Sequence, residues 1–159
     1  MAARPGLQRV CRAGLAGVAG VAVMGLAAGC GRGGVAVSAP KPAPDMAAAC
    51  AALIHRLPDD LAVGGHRRAT SPSSPYVAAF GSPPVVVRCG GAIPRYSPTA
   101  DVLVIQGVDW VVIPKGKSTN QFVSFHSTLP VEVTVTLPEL PANVLPPVTA
   151  LLTELAPAR

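Results

Sequence analysis

Phe80–Gly91 reads FGSPPVVVRCGG, and the conformation of this stretch decides how the rest of the chain can fold. Pro83 and Pro84 stop whatever precedes them, three successive valines favour an extended chain, and Gly90-Gly91 ends it. Strand alternation then puts Val85, Val87 and Cys89 on one face and Val86 and Arg88 on the other. A cysteine on the apolar face of a central strand needs a partner or an apolar pocket.

The candidate partner lies upstream. Asp45 is placed to N-cap a helix over MAAACAALIHRL, which Pro58 ends. Met46, Cys50, Leu53, Ile54 and Leu57 share one face of that helix at helical spacing. Cys50 and Cys89 therefore both point inwards, and the helix is expected against the sheet face that carries Cys89. Two readings remain for the pair: a disulfide closing a loop of about 40 residues, or two buried thiols. Zinc is disfavoured, because two cysteines without a neighbouring His pair fall short of four ligands.

Between helix and strand, residues 58–79 are loop-like, with at most a short strand at Leu61–Val63. His66-Arg67-Arg68 sits there as a small basic cluster, more in keeping with a solvated loop than with a headgroup site. Downstream, Val102–Ile105 and Val108–Ile113 flank Gln106-Gly107 and suggest a tight hairpin. Trp110 shares a face with Val108 and Val112, while Asp109 faces the other way. Gln121–His126 is a further strand, and Val131–Thr136 alternates Val131, Val133 and Val135 inwards against Glu132, Thr134 and Thr136 on a wet face. Val144, Val148, Leu151, Leu152 and Leu155 recur at helical spacing, with Pro146-Pro147 tolerable only in the first turn. The expected fold is α+β: a mainly antiparallel sheet of about five strands with two helices packed on one face.

Upstream of this domain the chain has a different character. Arg4, Arg9 and Arg12 with no acid, then the uncharged run Ala13–Gly29, follow the plan of an export signal over residues 1–29. Leu26-Ala27-Ala28-Gly29-Cys30 resembles a bacterial lipobox, in which the cysteine takes a diacylglyceryl group and becomes the mature amino terminus. Cys30 is thus the expected lipidation site. A retained single transmembrane helix and a cleaved, secreted protein are the alternatives. Residues 30–44 are glycine-rich and then proline-rich, as in a tether between a membrane and a folded domain at 45–159. Each of these readings puts the domain outside the cytoplasm, where a disulfide is stable.

Composition narrows the function classes. Half of the 159 residues are hydrophobic and 13% charged. Of the formal charge of +5, three units belong to the n-region, leaving ten basic against eight acidic residues. With 4% aromatics as well, neither charge nor stacking surface argues for nucleic acid. No GxSxG, HExxH, phosphate-cradling glycine loop or dinucleotide turn occurs. His55, His66 and His126 are scattered with no carboxylate at metal-site spacing, so no catalytic, cofactor or metal residues are expected.

Cys50, Gly81, Pro83-Pro84-Val85, Arg88-Cys89-Gly90, Gly107-Val108-Asp109-Trp110 and Val131-Glu132-Val133 together resemble an actinobacterial family of secreted or membrane-anchored proteins, domain-of-unknown-function 3515. The resemblance covers roughly residues 47–155. It departs at Phe80, Ser82 and Gln106, where the family prefers Trp, an acid and Asn. It implies an envelope location and the fold, and it adds no mechanism. Two functional classes follow. One is an anchored accessory or binding domain that presents Arg88, Arg95, Tyr96, Asp109 and Trp110 to an envelope protein, glycan or lipid. The other is an envelope hydrolase whose site assembles only in space. Against the first stands a purely structural role: ion pairing for Arg88 and Asp109, and core packing for Trp110.

Overall fold

The computed structural model describes residues 34–63, 65–125 and 128–156. The segment expected to be an export signal, Cys30 and His126 lie outside the described residues. The elements in chain order are β1 (Val35–Ala36), α1 (Pro44–Arg56), β2 (Arg67–Arg68), β3 (Thr70–Ser71), β4 (Val77–Phe80), β5 (Val85–Cys89), β6 (Val102–Ile105), β7 (Val108–Pro114), β8 (Thr119–Ser124), β9 (Val131–Thr136) and α2 (Pro141–Leu155).

The fold is α+β, with two helices and a seven-stranded antiparallel sheet of order β2-β4-β5-β9-β8-β7-β6. The PPVVVRC stretch occupies the middle as expected: β5 lies between β4 and β9, with Cys89 opposite Val131 and Val87 opposite Val133. Its alternation is borne out, since Val85, Val87 and Cys89 are buried and Val86 and Arg88 partly exposed. One face of the sheet, carrying Phe80, Val85, Val87, Cys89, Trp110, Phe122 and Val133, shares a continuous core with Cys50 and Leu53 of α1 and Val144, Leu145, Val148 and Leu152 of α2. Cys50 and Cys89 form a disulfide across that core, with Cα atoms 5.3 Å apart, a spacing ordinary for such a bridge.

The sheet has more strands than five. No strand forms at Leu61–Val63, in keeping with the loop-like reading, and Leu61 and Ala62 are buried in a turn-rich segment. The stretch read as loop-like instead holds β2 and β3, and at its end β4, VAAF, which is buried throughout. Being short and alanine-rich, it has neither alternation nor β-branched density, and its place comes from pairing with β5. The two-residue β2 extends the sheet beyond β4, and β1 pairs in parallel with β3 in a separate ladder. Residues expected as tether thus include a strand, with the Val35 and Val37 amides donating to Ala69 and Ser71 carbonyls. Pro42 packs so closely on Gly90, at φ +81°, that a Cβ there would lie 2.3 Å from the proline ring.

Both helix starts differ from expectation. Pro44 takes the first turn of α1, where its fixed φ fits and no amide is needed, so Asp45 lies inside the helix and Ala43 caps it. Helix α2 begins at Pro141, which leaves Pro146 and Pro147 inside it. The carbonyls that lose their i+4 donors belong to Ala142 and Asn143, both exposed, so water can satisfy them.

Candidate functional site

The second face of the sheet is not uniformly wet. Directly opposite one another on β5 and β9, Arg88 and Glu132 form an ion pair of 3.0 Å, and the Gln121 amide also donates to the Glu132 carboxylate. Glu132 is 5% exposed, which corrects its expected solvent-facing position. Gly91 closes over it: a Cβ at that position would sit 2.8 Å from Glu132 Oε1 and 3.7 Å from Pro40. Arg88 is therefore engaged in structure, as the ion-pair reading expected, with Glu132 as its partner. Trp110 is fully buried on the core face, and its indole N–H donates to Thr149 Oγ1 of α2 at 3.1 Å. That hydroxyl in turn donates to the Leu145 carbonyl. Trp110 thus welds the sheet to α2.

The basic cluster is structural too. Arg67 donates to the carbonyls of Ile54 and Leu57, groups that the end of α1 leaves without helical partners, and pairs with Asp59. Its guanidinium lies 5.1 Å over the Phe80 ring. Arg68 donates to the Gly81 carbonyl. Beside them a hollow of about 350 Å³ is lined by Ile54, His55, Arg67, Ser74 and Val77. Ser74 Oγ there accepts the Tyr76 amide. Among the described residues no group of three His, Cys, Asp or Glu side chains is placed to hold a metal ion, and no helix is long and apolar enough to cross a membrane.

What the structure does bring together lies at the opposite edge of the sheet. The connection from Gly91 to Asp101 folds back over β7, and Tyr96 meets Phe125 edge-on with ring centres 6.0 Å apart. Under it is a cleft of about 180 Å³ lined by Tyr96, Pro98, Val102, Asp109, Val111 and Phe125. A neighbouring cavity of about 250 Å³ shares Tyr96, Ser97 and Ala100 and adds Asp101. Small-molecule and cofactor sites usually enclose about 300–1,000 Å³. The cleft is sized for a single side chain.

Its rim is β6. This strand pairs only with β7 and ends the sheet. Val102 is 51% exposed, Leu103 39% and Val104 67%, with Phe125 at 47% beside them. The turn that sets the register is Gln106-Gly107, with φ of +49° and +81°, the paired left-handed values of a type I′ hairpin. Because the Val112 amide donates to the Asp101 carbonyl, antiparallel alternation turns the peptide groups of Leu103 and Ile105 towards β7 and those of Val102 and Val104 outwards.

Residues 13–158 match the family model described as protein of unknown function (DUF3515). The chain belongs to that family. No curated protein and no solved structure matches it. The family match covers both cysteines of the disulfide and the whole β6–β7 hairpin.

Of the five side chains singled out from sequence, Tyr96 and Asp109 share the cleft, and the exposed Arg95 precedes Tyr96 without lining it. Arg88 and Trp110 belong to other parts of the fold. Sequence reasoning missed Phe125, Val102 and Val104, which it took as ordinary strand residues. A signal was present: residues 102–105 carry no Lys, Pro or other edge-protecting residue.

Proposed function

We propose that this protein is a non-catalytic binding module, held by a lipid on Cys30 to the outer side of the cytoplasmic membrane, and that β6 with its cleft is the working surface. The observation that carries the binding role is the exposed apolar edge strand. An uncharged, unprotected edge is an aggregation hazard in a protein that has no use for it, and contiguous apolar surface beside polar ground marks interaction sites. Support for the location comes from the arginine-led apolar segment ending in LAAGC and from the Cys50–Cys89 disulfide, which fits an oxidising compartment. The family match begins at residue 13, so the apolar segment belongs to the matched region.

The test has two arms. A photo-crosslinking residue is placed at Val104, and separately at the exposed Ser73 on the far side of the sheet, in cells making the full chain. A discrete adduct from position 104 that position 73 does not give supports the binding role; equal background from both positions overturns it. For the anchor, Cys30→Ala should abolish labelling by a fatty-acid analogue, and persistent labelling would sink the lipid attachment.

A further inference from the structure

One end of the sheet carries apolar loop tips. Extended past their last pairs, the strand registers put His66, Gly81, Pro84, Thr136, Thr119 and Lys115 at one level, beyond which the chain turns. Past that level Val63 is 76% exposed and Leu137 and Leu140 are 54% exposed each. Glu139 ties these tips together, its carboxylate accepting the Val63 and Leu140 amides and the Asn143 side chain. Resting on the lipid anchor just given, we infer that this end of the sheet docks on the membrane. Val63, Leu137 and Leu140 enter the headgroup region of an anionic bilayer, and Arg68, Lys115 and Lys117 meet its charge.

The reach of the anchor selects this end. β1 is parallel to β3, with Val35 opposite Thr70, and β3 follows β2 after Ala69, so β1 runs away from the loop tips. Gly34 thus stands level with Ala69, about 10 Å above the His66–Gly81 level. Cys30 precedes Gly34 by four residues, a span of at most about 14 Å. The folded segment adds nothing to that length: the Val35 and Val37 amides are bonded, Pro40 is buried, and a Cβ on Gly34 would lie 3.2 Å from the Ala69 carbonyl oxygen. An acyl chain on Cys30 therefore brings the tips to the headgroups. Docking the opposite end would need the chain to reverse first, and a turn of four residues consumes the whole span.

Charge agrees with a lipid surface. Both lysines are exposed on the β7–β8 turn, whose Ser118 carbonyl accepts the Leu137 amide, and Arg68 donates to the Gly81 carbonyl at the same level. Of the acids beside the tips, Asp59 pairs with Arg67 and the Glu139 carboxylate is taken up by its three donors. That leaves Asp60 against Arg68, Lys115 and Lys117. A second copy docking through the same tips would bring these cations against one another. Val104 stands six residues, about 20 Å, above the tips, which keeps the β6 edge clear of the headgroups.

For the test, the full chain is purified from membranes into vesicles of phosphatidylcholine, with and without phosphatidylglycerol, that carry a nitroxide lipid labelled at shallow acyl depth. A polarity-sensitive fluorescent amino acid replaces Leu137, Val63, Val104 or Ser73 in turn. Emission from positions 137 and 63 should shift to the blue and lose most of its intensity to the nitroxide, while positions 104 and 73 keep theirs. Val63 and Leu137 are exposed on separate loops, so a fold disturbed by one probe leaves the other to read. Lys115→Glu/Lys117→Glu should reduce the quenching at 137 in vesicles with phosphatidylglycerol and leave it unchanged in phosphatidylcholine alone. In a chain that carries the fatty-acid label on Cys30, unquenched emission at 137 and 63, or equal quenching at 137 and 104, would overturn the docking and leave the anchor standing. A concentration-dependent dimer that shields position 137 from the nitroxide would assign the tips to a second copy and overturn the lipid partner. Quenching at 137 and 63 in a chain without the label would remove the anchor and keep the docking surface; neither label nor quenching would remove both.

Discussion

Replacing Arg88 by Met separates a structural role from a functional one. The substitution keeps an unbranched stem on the second face of β5 but removes the guanidinium that pairs with Glu132 at 3.0 Å. Glu132, 5% exposed, would keep only the Gln121 amide. Leaving one partner of a buried pair alone typically costs about 3–5 kcal/mol. The Arg88 side chain is 24% exposed, so water screens part of that, and its Nε has no hydrogen-bond partner. Both facts bring the expected cost down to about 2–3 kcal/mol. The double variant Arg88→Met/Glu132→Met removes both charges and should return to within about 1 kcal/mol of the parent, giving a coupling energy of about 2 kcal/mol. Urea unfolding of the oxidised chain is the suitable assay, because guanidinium salt would screen the pair. The single variant should lower the midpoint at constant slope, or the melting temperature by about 10 °C for a domain of this size. Crosslinking from Val104 should persist. A single variant within about 0.5 kcal/mol of the parent would refute the structural account of Arg88 and return it to the list of functional candidates.

Removing the disulfide by Cys50→Ala/Cys89→Ala should cost about 4 kcal/mol by loop closure across 39 residues, measured by urea unfolding; an unchanged midpoint would contradict its role. Thr149→Val keeps the shape but strands the buried Trp110 N–H. A loss of about 1–3 kcal/mol is expected, followed through the fluorescence of the chain's one tryptophan. Arg56 and Glu154 join α1 to α2 through two bonds of 2.8 Å. The hydrogen bond to Arg56 holds the Glu154 carboxyl below its usual range, and the bond to Glu154 holds the Arg56 guanidinium above its own. A carboxyl with a depressed folded value stabilises above its unfolded value and loses that contribution as pH falls through the folded one. The small difference in melting temperature between the parent and Glu154→Gln should therefore be present at neutral pH and close in acid.

Much of the fold was legible because the relevant patterns are local. PPVVVRCGG, the alternation of 131–136 and the helical spacing of Met46 to Leu57 each carry their own period, and the inward aim of Cys50 and Cys89 followed from two such periods. Elements fixed by pairing were not legible. VAAF becomes a strand because β5 lies beside it, and Glu132 is buried because Arg88, Gln121 and Gly91 close around it. The prolines of α2 escaped for a related reason: whether a missing amide is tolerable depends on whether the orphaned carbonyl meets water. Of the site, Tyr96 and Asp109 stood out by residue type. Val102, Val104 and Phe125 matter by where the sheet ends, and strand order does not appear in a single sequence.

Amide hydrogen exchange across residues 102–105 of the full chain tests the open edge directly. Leu103 and Ile105, bonded to β7, should exchange slowly, while Val102 and Val104 should exchange at near-solvent rates. Slow exchange of Val102 and Val104 in the isolated protein would contradict it.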